Sequence, residues 1–441
     1  MQNFTFDIIV KKYFLLCFTW FAVSAQQSLP IYTPLPVKTD WLVEKLTQKA
    51  ALYRDEDQNL VLSNGLVSRI FSISPDVGTI GFDNLMTNQG LLRSVRPEAE
   101  VVIDGIRLEV GGLSGQPIHN YLLPEWIKAM TKNPAAFHYA NYETGPVKAR
   151  FDWKKHLSWM PTDAPWPYPG ISLTLNFKAD DATINTIAAS GNRKTKDLEH
   201  LKHVIIKVNY EIYDGIPLIC KWISIDNLSD IAITVNKFKS EILALAEPES
   251  MVDDKKHWLL PNITIETDYQ FGGMSSENPE KSSFSWSLDS LYLIQVNYNR
   301  LTPCLLECYP KIGPEQEIGK GKSFDSFRIW ELVNDTYERE RKTLAHRRMM
   351  RVMAPWVTEN PILMHMRNAD NASVKKAIDQ CADVGFEMVI MTFGSGVNLE
   401  DTTAANIQRM KELADYAHSK GIALGGFRCL PAGVLTLLTM W

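Results

Sequence analysis

Cysteine is scarce in this sequence, with six among 441 residues, and histidine numbers only nine. Cys304 and Cys308 lie in one strand-like run, where four residues of separation span about 13 Å, too far for a disulfide bond. A zinc site would need closer cysteine pairs combined with histidines. We therefore expect Cys220, Cys304, Cys308 and Cys381 to be buried free thiols, and we expect no metal and no cofactor.

A basic excess is also absent, because the net charge is -5. This excludes the electrostatic footprint of a nucleic-acid-binding protein and a polybasic surface for anionic lipid. Long apolar runs are missing beyond the N-terminus. There Lys11 and Lys12 precede a short apolar stretch that ends in small residues, a pattern typical of a signal peptide over 1–25. We expect a secreted or periplasmic protein; the alternative is an uncut N-terminal anchor helix.

Strand patterns dominate residues 59–333, after an N-terminal segment, 26–58, in which one helical stretch is expected over Thr39–Arg54. Two alternating runs flank Asn64-Gly65, a strong hairpin signal. Asp104-Gly105 and Asp214-Gly215 mark further turns between apolar runs. Many strands separated by Gly, Asn and Asp turns predict a large two-sheet β-sandwich.

Residues 334–360 predict a charged linker helix, and an α/β pattern follows over 361–427. Apolar runs at Pro361–Met366, Phe386–Met391 and Ile422–Phe427 predict three strands. Two amphipathic segments between them predict helices, one capped by Asn371 and the other over Ala404–Lys420. Val374, Ala377, Ile378, Cys381 and Ala382 form the apolar face of the first helix; Ile407, Met410, Leu413, Ala414 and Ala417 form that of the second.

Several stretches together resemble the melibiase-type α-galactosidases of glycoside hydrolase family 36, clan D. They are Leu62–Arg69, Arg96–Ala99 with Val110–Gly112, Tyr210–Pro217, and Asp383–Met388 with Thr392–Gly396. The resemblance implies a galactose-mutarotase-like β-supersandwich followed by a (β/α)8 TIM barrel. It also implies hydrolysis of terminal α-glycosides by two aspartates at the ends of the fourth and sixth barrel strands.

The barrel is expected to be incomplete. A whole barrel takes about 250 residues, whereas the sequence after Pro361 holds two βα units and a third strand. No catalytic residue is therefore assigned, because the expected carboxylates would lie beyond the chain. Residues 428–441 show no helical stripe and no charge after Arg428, and they are expected to form an irregular tail. A shift of reading frame after Phe427 would account for this tail, and a true apolar C-terminus is the alternative.

Barrel enzymes place working residues just past each strand. The candidates for substrate binding after the first two strands are His365, Arg367, Asn368, Thr392, Phe393, Asn398 and Asp401. Glu400 and Asp401 form an adjacent carboxylate pair, but we favour Asp401 as a helix cap. His365 could bond a sugar hydroxyl or act as a general base, and a satisfied barrel histidine is the alternative. The resemblance implies an Asp pair where Thr392 and Phe393 stand, and this difference argues against galactose specificity.

Trp166 is the remaining candidate, within a Pro-rich loop that also carries Trp153, Trp159 and Tyr168. Aromatic faces stack on sugar rings, and proline limits the entropy lost on binding. Packing of these aromatics in a core is the alternative. We expect an exported α-galactosidase-like chain, inactive on its own, with carbohydrate as its partner. The other hypotheses are a non-catalytic carbohydrate-binding sandwich, a structural sandwich that binds a protein partner, and complementation by a second chain.

Overall fold

The computed structural model describes residues 29–34, 36–155, 165–248, 259–269, 283–295, 297–356, 361–392, 394–429 and 435–439. The predicted signal peptide and Trp159 lie outside these residues. Within them, no helix has the length and apolar character needed to cross a membrane.

Twenty-two strands are described between residues 51 and 333, a region over most of which the turn pattern predicts strands. The strands up to residue 178 are β1 (Ala51–Arg54), β2 (Leu60–Ser63), β3 (Val67–Ser72), β4 (Gly78–Asn84), β5 (Gln89–Gly90), β6 (Leu92–Ser94), β7 (Ala99–Ile103), β8 (Ile106–Val110), β9 (Leu113–Ser114), β10 (Thr131–Lys132), β11 (His138–Pro146) and β12 (Gly170–Lys178). The later ones are β13 (Val204–Tyr213), β14 (Leu218–Asn227), β15 (Ile233–Lys239), β16 (Glu241–Leu245), β17 (Ile263–Thr267), β18 (Phe284–Ser287), β19 (Leu305–Cys308), β20 (Gln316–Ile318), β21 (Ser323–Asp325) and β22 (Ile329–Val333).

These strands form several antiparallel sheets around one apolar core. The largest sheet has the order β11-β12-β13-β14-β22-β17, with β21 also on β14. A second sheet runs β1 to β5 in order, and two four-stranded sheets follow the orders β20-β15-β7-β8 and β18-β19-β16-β6. Side chains from all four meet in a single cluster, which includes Phe71, Val101, Val208 and Leu306. The expectation of a mainly antiparallel β architecture is confirmed.

Local turn chemistry explains the hairpins. β2 and β3 pair antiparallel across the turn at Asn64-Gly65, where Gly65 has a φ of +83° that favours glycine. The helix expected over Thr39–Arg54 is wrong. Its last four residues instead form β1, which pairs with β2, and Asp214 accepts a 2.8 Å hydrogen bond from the backbone N–H of Ala50. Pairing of β1 with β2 therefore outweighs the helix propensity of the Leu, Glu, Lys, Gln and Ala residues in this segment.

Helices are few before residue 354. α1 (Pro124–Ile127) has no buried residue, whereas α2 (Asp181–Ser190) packs Ile184 and Ile187 into the sandwich core. Two 3-10 turns span Thr195–Asp197 and Glu199–His203. α3 (Arg339–Met353) lies within the predicted linker. Its buried residues Ala345, Met349, Val352 and Met353 pack with Trp41 and Trp330, so this helix is docked on the sandwich.

The α/β unit contains β23 (Leu363–Met366), α4 (Asn371–Val384), β24 (Met388–Met391), α5 (Ala404–Ser419), β25 (Ala423–Cys429) and β26 (Leu435–Thr439). The first three strands are parallel neighbours in chain order. Side chains of both helices meet those of β23, β24 and β25 in one cluster, so both helices cover the same face of the sheet. Neighbouring parallel strands in chain order, with their helices on one face, are compatible with the start of a barrel. A whole barrel stays a prediction.

Three local expectations are wrong. The tail is not wholly irregular, because β26 pairs antiparallel with β25, and its Thr and Leu residues favour strands. Ile407 is 57% exposed, because it lies one turn away from the buried stripe of Met410 and Leu413. Asp370, not Asn371, caps α4 by accepting a 2.9 Å hydrogen bond from the Ser373 N–H.

Candidate functional site

The strand-end candidates lie along the carboxyl edge of the parallel sheet. Met364 and Met366 pack toward the helices, so the strand alternation puts His365 on the opposite face. His365, Arg367 and Asn368 are all exposed. Asn368 accepts a 3.4 Å hydrogen bond from the Asp370 N–H. These three side chains line none of the three pockets described in this structure.

The candidate side chains after β24 form hydrogen bonds with nearby backbone groups. Thr392 Oγ1 donates a 2.8 Å hydrogen bond to the carbonyl of Met366, which ties the ends of β23 and β24 together. Asn398 accepts from the N–H of Glu400 at 3.1 Å. Phe393 lies outside the described residues. This edge therefore has polar side chains but, in the part of the chain that is described, no paired carboxylates poised over a cleft.

Asp401 does not cap α5, contrary to expectation. The cap is Thr403, whose Oγ1 accepts from the Asn406 N–H at 3.3 Å. Asp401 accepts from the Thr403 N–H at 2.9 Å, and hydrogen bonds from Thr403 lower the pKa of its carboxyl. A carboxylate held in its ionised form within a turn is unsuited to act as a general acid.

Trp166 belongs to an aromatic cluster that spans two distant parts of the chain. Its ring centroid lies 5.3 Å from that of Phe151 and 5.0 Å from that of Trp356, which follows α3. Phe151 and Trp356 are themselves 4.8 Å apart. Trp166 Nε1 donates a 2.9 Å hydrogen bond to the carbonyl of Phe151. The Pro-rich loop therefore holds its tryptophan against the end of the linker helix.

A cation holds this cluster together. The Arg150 guanidinium lies 5.8 Å from the Trp166 ring centroid and 5.1 Å from that of Trp330. Its nitrogens donate to the Asp268 carboxylate at 2.8 Å and to the Met353 carbonyl at 3.0 Å. Arg150 thus joins the loop, β22 and α3, and cation–π attraction supplements these hydrogen bonds.

A small pocket with several polar groups lies beside Trp166, and we call it the tryptophan pocket. Its lining residues are Val147, Lys148, Arg150, Trp166, Pro167, Tyr168, Glu211, Tyr213, Arg328, Trp330, Val352 and Met353. Glu211 accepts from Arg328 at 3.0 Å and from the Tyr213 hydroxyl at 2.7 Å. Burial raises the pKa of Tyr213, so it stays protonated and donates. The free space is about 20 Å³, roughly one water, so a sugar ring would stack at the rim.

The sequence indicated Trp166 but not its partners. Arg150, Glu211, Arg328 and Trp356 are separated by up to about two hundred positions, and only the sheet and α3 bring them together. The one sequence signal was local: aromatic residues crowd the stretch from Phe151 to Tyr168.

A second charged cluster is closed to solvent and cannot bind a substrate. Arg69 donates to Glu241 at 2.7 Å, and Lys221 donates to the same carboxylate at 2.8 Å. Burial would raise the pKa of Glu241, but Arg69 and Lys221 outweigh it and lower that pKa. Burial, and then the charge of Glu241, raise the pKa of Glu331. The pKa values of Glu241 and Glu331 therefore shift in opposite directions within one buried cluster.

The cysteine expectation is confirmed, since Cys220, Cys304, Cys308 and Cys381 are buried and free. Burial raises the pKa of Cys304 to about 11, so this thiol is not reactive at neutral pH. Among the described residues, no group of three or more His, Cys, Asp or Glu side chains is placed to hold a metal ion.

Comparison with known proteins gives distant structural matches only. No protein-family model matches the chain, and no curated protein matches it. The α-galactosidase from Lactobacillus brevis is 11% identical, with a TM-score of 0.40 over 84% of this chain and 54% of that one. The family 36 α-galactosidase AgaB from Geobacillus stearothermophilus is 11% identical, with a TM-score of 0.41 over 85% of this chain and 56% of that one.

A galactose mutarotase related enzyme from Lactobacillus acidophilus is also 11% identical, with a TM-score of 0.30 over 64% of this chain and 99% of that one. The chain is thus distantly similar to family 36 α-galactosidases and spans about half their length.

Proposed function

We propose that this chain is an exported, sugar-binding relative of the α-galactosidases, and that it binds glycans at the rim of the tryptophan pocket without hydrolysing them. The observation that carries the proposal is the placement of Trp166 and Tyr168 around the Glu211–Arg328 ion pair. Sugar sites combine an aromatic face, which stacks on the apolar face of the ring, with a few fixed polar groups that bond hydroxyls.

The geometry of the α/β unit supports binding without turnover. Glycoside hydrolysis needs two carboxyl groups about 5–9.5 Å apart on either side of the glycosidic bond. At the described strand ends, Asp370 caps α4 and Asp401 accepts from a turn N–H. Hydrolysis of terminal α-glycosides would then require carboxyl groups other than these two at the described strand ends.

The test is binding of stachyose, the oligosaccharide named with a related α-galactosidase structure. We expect titration calorimetry on the full chain to show binding that Trp166→Ala abolishes and Trp166→Phe largely retains. The matched control is Trp126→Ala, because Trp126 is likewise half-buried and stacks on Tyr121 away from the pocket. We expect no release of p-nitrophenol from p-nitrophenyl α-galactoside.

Two results would reject the proposal. One is stachyose binding that survives Trp166→Ala unchanged; the other is no binding to stachyose or to any member of a broad glycan array. Hydrolysis by the purified chain would overturn the non-catalytic part and direct attention to His365 and Arg367.

A further inference from the structure

A separate pocket lies beside β8 and β9, and it shares no lining residue with the tryptophan pocket. Its volume is about 260 Å³, close to the lower bound of small-molecule sites. The polar side chains that line it are Arg96, Glu109, Ser114, Gln116, His119 and Asn133. The proposed function uses neither Arg96 nor the glycines at 111 and 112.

The first wall of the pocket is formed by Arg96, whose ion pair with Asp289 is held in place by Arg93. Arg96 donates to Asp289 at 2.6 Å, and the buried Arg93 donates to the same oxygen at 2.7 Å. Arg93 also stacks on Tyr292, with its guanidinium carbon 4.3 Å from the ring centroid. Among the described residues, the buried Nε of Arg96 has no hydrogen-bond partner, and a ligand in the pocket would meet the terminal nitrogens of this guanidinium.

The second wall is an ordered neutral network. Gln116 donates to the carbonyls of Arg93, Ile118 and Tyr121, at 3.2, 2.8 and 3.0 Å, which fixes its amide. Ser94 Oγ lies 2.6 Å from His119 Nδ1 and 3.1 Å from the oxygen of Gln116. Burial, and then the charge of Arg96, lower the pKa of His119, so its ring is neutral at pH 7.

The third wall supplies a carboxylate. Asn133 Nδ2 donates to Glu109 at 2.6 Å, and this bond orients the carboxylate of a half-buried side chain. The floor is backbone at Gly111 and Gly112, both with positive φ. A Cβ would lie 2.5 Å from the Val77 carbonyl at Gly111 and 2.8 Å from Pro97 Cα at Gly112. These two positions therefore require glycine, and the tight packing there keeps the floor fixed.

The charges on the lining of the pocket balance. One guanidinium, Arg96, and one carboxylate, Glu109, line it. A neutral ligand suits such a site better than an ion, which would leave an unbalanced charge. The lining offers both donors and acceptors, which suits hydroxyl groups because each can donate and accept. No Phe, Tyr or Trp lines the pocket, so recognition would depend on hydroxyls and not on stacking.

We propose that this cavity, the Arg96 pocket, binds one neutral polyhydroxylated molecule of monosaccharide size. Hydroxyls would donate to Glu109 and accept from Arg96, while Asn133 and His119 fix the orientation. The volume admits a single sugar ring, so an oligosaccharide would not fit inside. This inference goes beyond the proposed function, because the Arg96 pocket and the tryptophan pocket would act independently.

The test uses free D-galactose with the full chain, followed by saturation-transfer NMR. We expect binding that Glu109→Gln weakens by about tenfold or more, since a hydrogen bond to a charged group is lost. The matched control is Glu100→Gln, because Glu100 lies directly opposite Glu109 on β7, outside the pocket. Trp166→Ala should leave galactose binding unchanged, and Glu109→Gln should leave stachyose binding unchanged.

Three outcomes would overturn the inference. The first is the absence of galactose binding in the unmodified chain at millimolar concentrations. The second is an equal loss of galactose affinity in the Glu109→Gln and Glu100→Gln variants. The third is tighter binding of D-galacturonate or inorganic phosphate than of D-galactose, which would make the pocket an anion site centred on Arg96. Galactose binding lost only in Trp166→Ala would place the sugar in the tryptophan pocket and reject the Arg96 pocket.

Discussion

The sandwich and the α/β unit stabilise their interiors in different ways. The sandwich encloses Arg69, Lys221 and Glu241, all at most 1% exposed, in a core that also buries Glu98 and Glu331. The α/β unit buries a stripe of Val, Ile, Leu and Met, and among its described residues the only buried polar side chain is Ser395. Four sheets converge in the sandwich, whereas one sheet meets two helices in the α/β unit. The comparison teaches that a large multi-sheet core can enclose charge only where each charge has a partner.

The partners in the sandwich come from different sheets. Arg69 lies on β3, Lys221 on β14 and Glu241 on β16, so the ion pairs cross between layers. A buried ion pair adds little net stability over apolar residues, but removing one partner is costly. The charges therefore act mainly to restrict how the sheets can pack, whereas the α/β unit depends on shape and volume alone.

The largest expected effect is from removing the shared cation. Arg69→Met leaves Glu241 with Lys221 alone, and we expect a loss of about 3–5 kcal/mol in the free energy of unfolding. Urea unfolding followed by tryptophan fluorescence measures it, since every tryptophan except Trp441 precedes residue 357. The control Arg107→Met breaks an exposed pair with Glu100 and should cost about 0–1 kcal/mol. Equal and small losses in the free energy of unfolding for Arg69→Met and Arg107→Met would show that the buried cluster contributes no more to stability than a surface ion pair.

A smaller effect is expected in the α/β unit. Leu413 is fully buried on α5, and Leu413→Ala should cost about 2–5 kcal/mol through the lost apolar contacts and the remaining cavity. Ile407→Ala, on the exposed face of the same helix, should change stability by about 0.5 kcal/mol or less. Hydrogen exchange should show faster opening of α4 and α5 with β13 and β14 unchanged. Equal deprotection of β13 would contradict the separation of the two regions.

The smallest effect concerns Glu331, whose pKa is raised in the folded chain above its ordinary value of 4.5. Below about pH 4.5 the Glu331 carboxyl is protonated in both the folded and the unfolded chain, so its contribution to the stability of the fold is complete. That contribution is lost as the pH rises toward the raised pKa. Glu331→Gln imitates the protonated form, so we expect little change at pH 5. Between pH 5 and pH 8 the variant should become progressively more stable than the unmodified chain.

Urea midpoints across this range test the titration of Glu331. A difference between the two proteins that stays constant with pH would show that Glu331 does not titrate on unfolding. Glu266→Gln is a suitable control, because Glu266 is partly exposed and contacts His346 outside the cluster.

The periodic elements were predictable because their signals are local. The spacing of Val374, Ile378 and Cys381 defined α4, and Gly385, with a φ of +77°, ends it. Turn pairs such as Asn64-Gly65 and Asp104-Gly105 located hairpins. The helix expected over Thr39–Arg54 failed because pairing of β1 with β2 overrides propensity. β26 was missed because only its pairing with β25, a contact between two segments, identifies it as a strand.

The amino-acid sequence by itself determined the strand-rich first region, the α/β pattern after it and the free, buried cysteines, because composition, period and turn residues act over a few positions. Only the tertiary structure decided which polar groups meet. Trp166 joins Arg150 and Trp356, Arg96 joins Asp289, and Arg69 joins Glu241 through contacts between segments far apart in the chain. Hydrogen bonds and ion pairs act over about 3 Å, a distance that depends on how sheets pack and that no local pattern encodes.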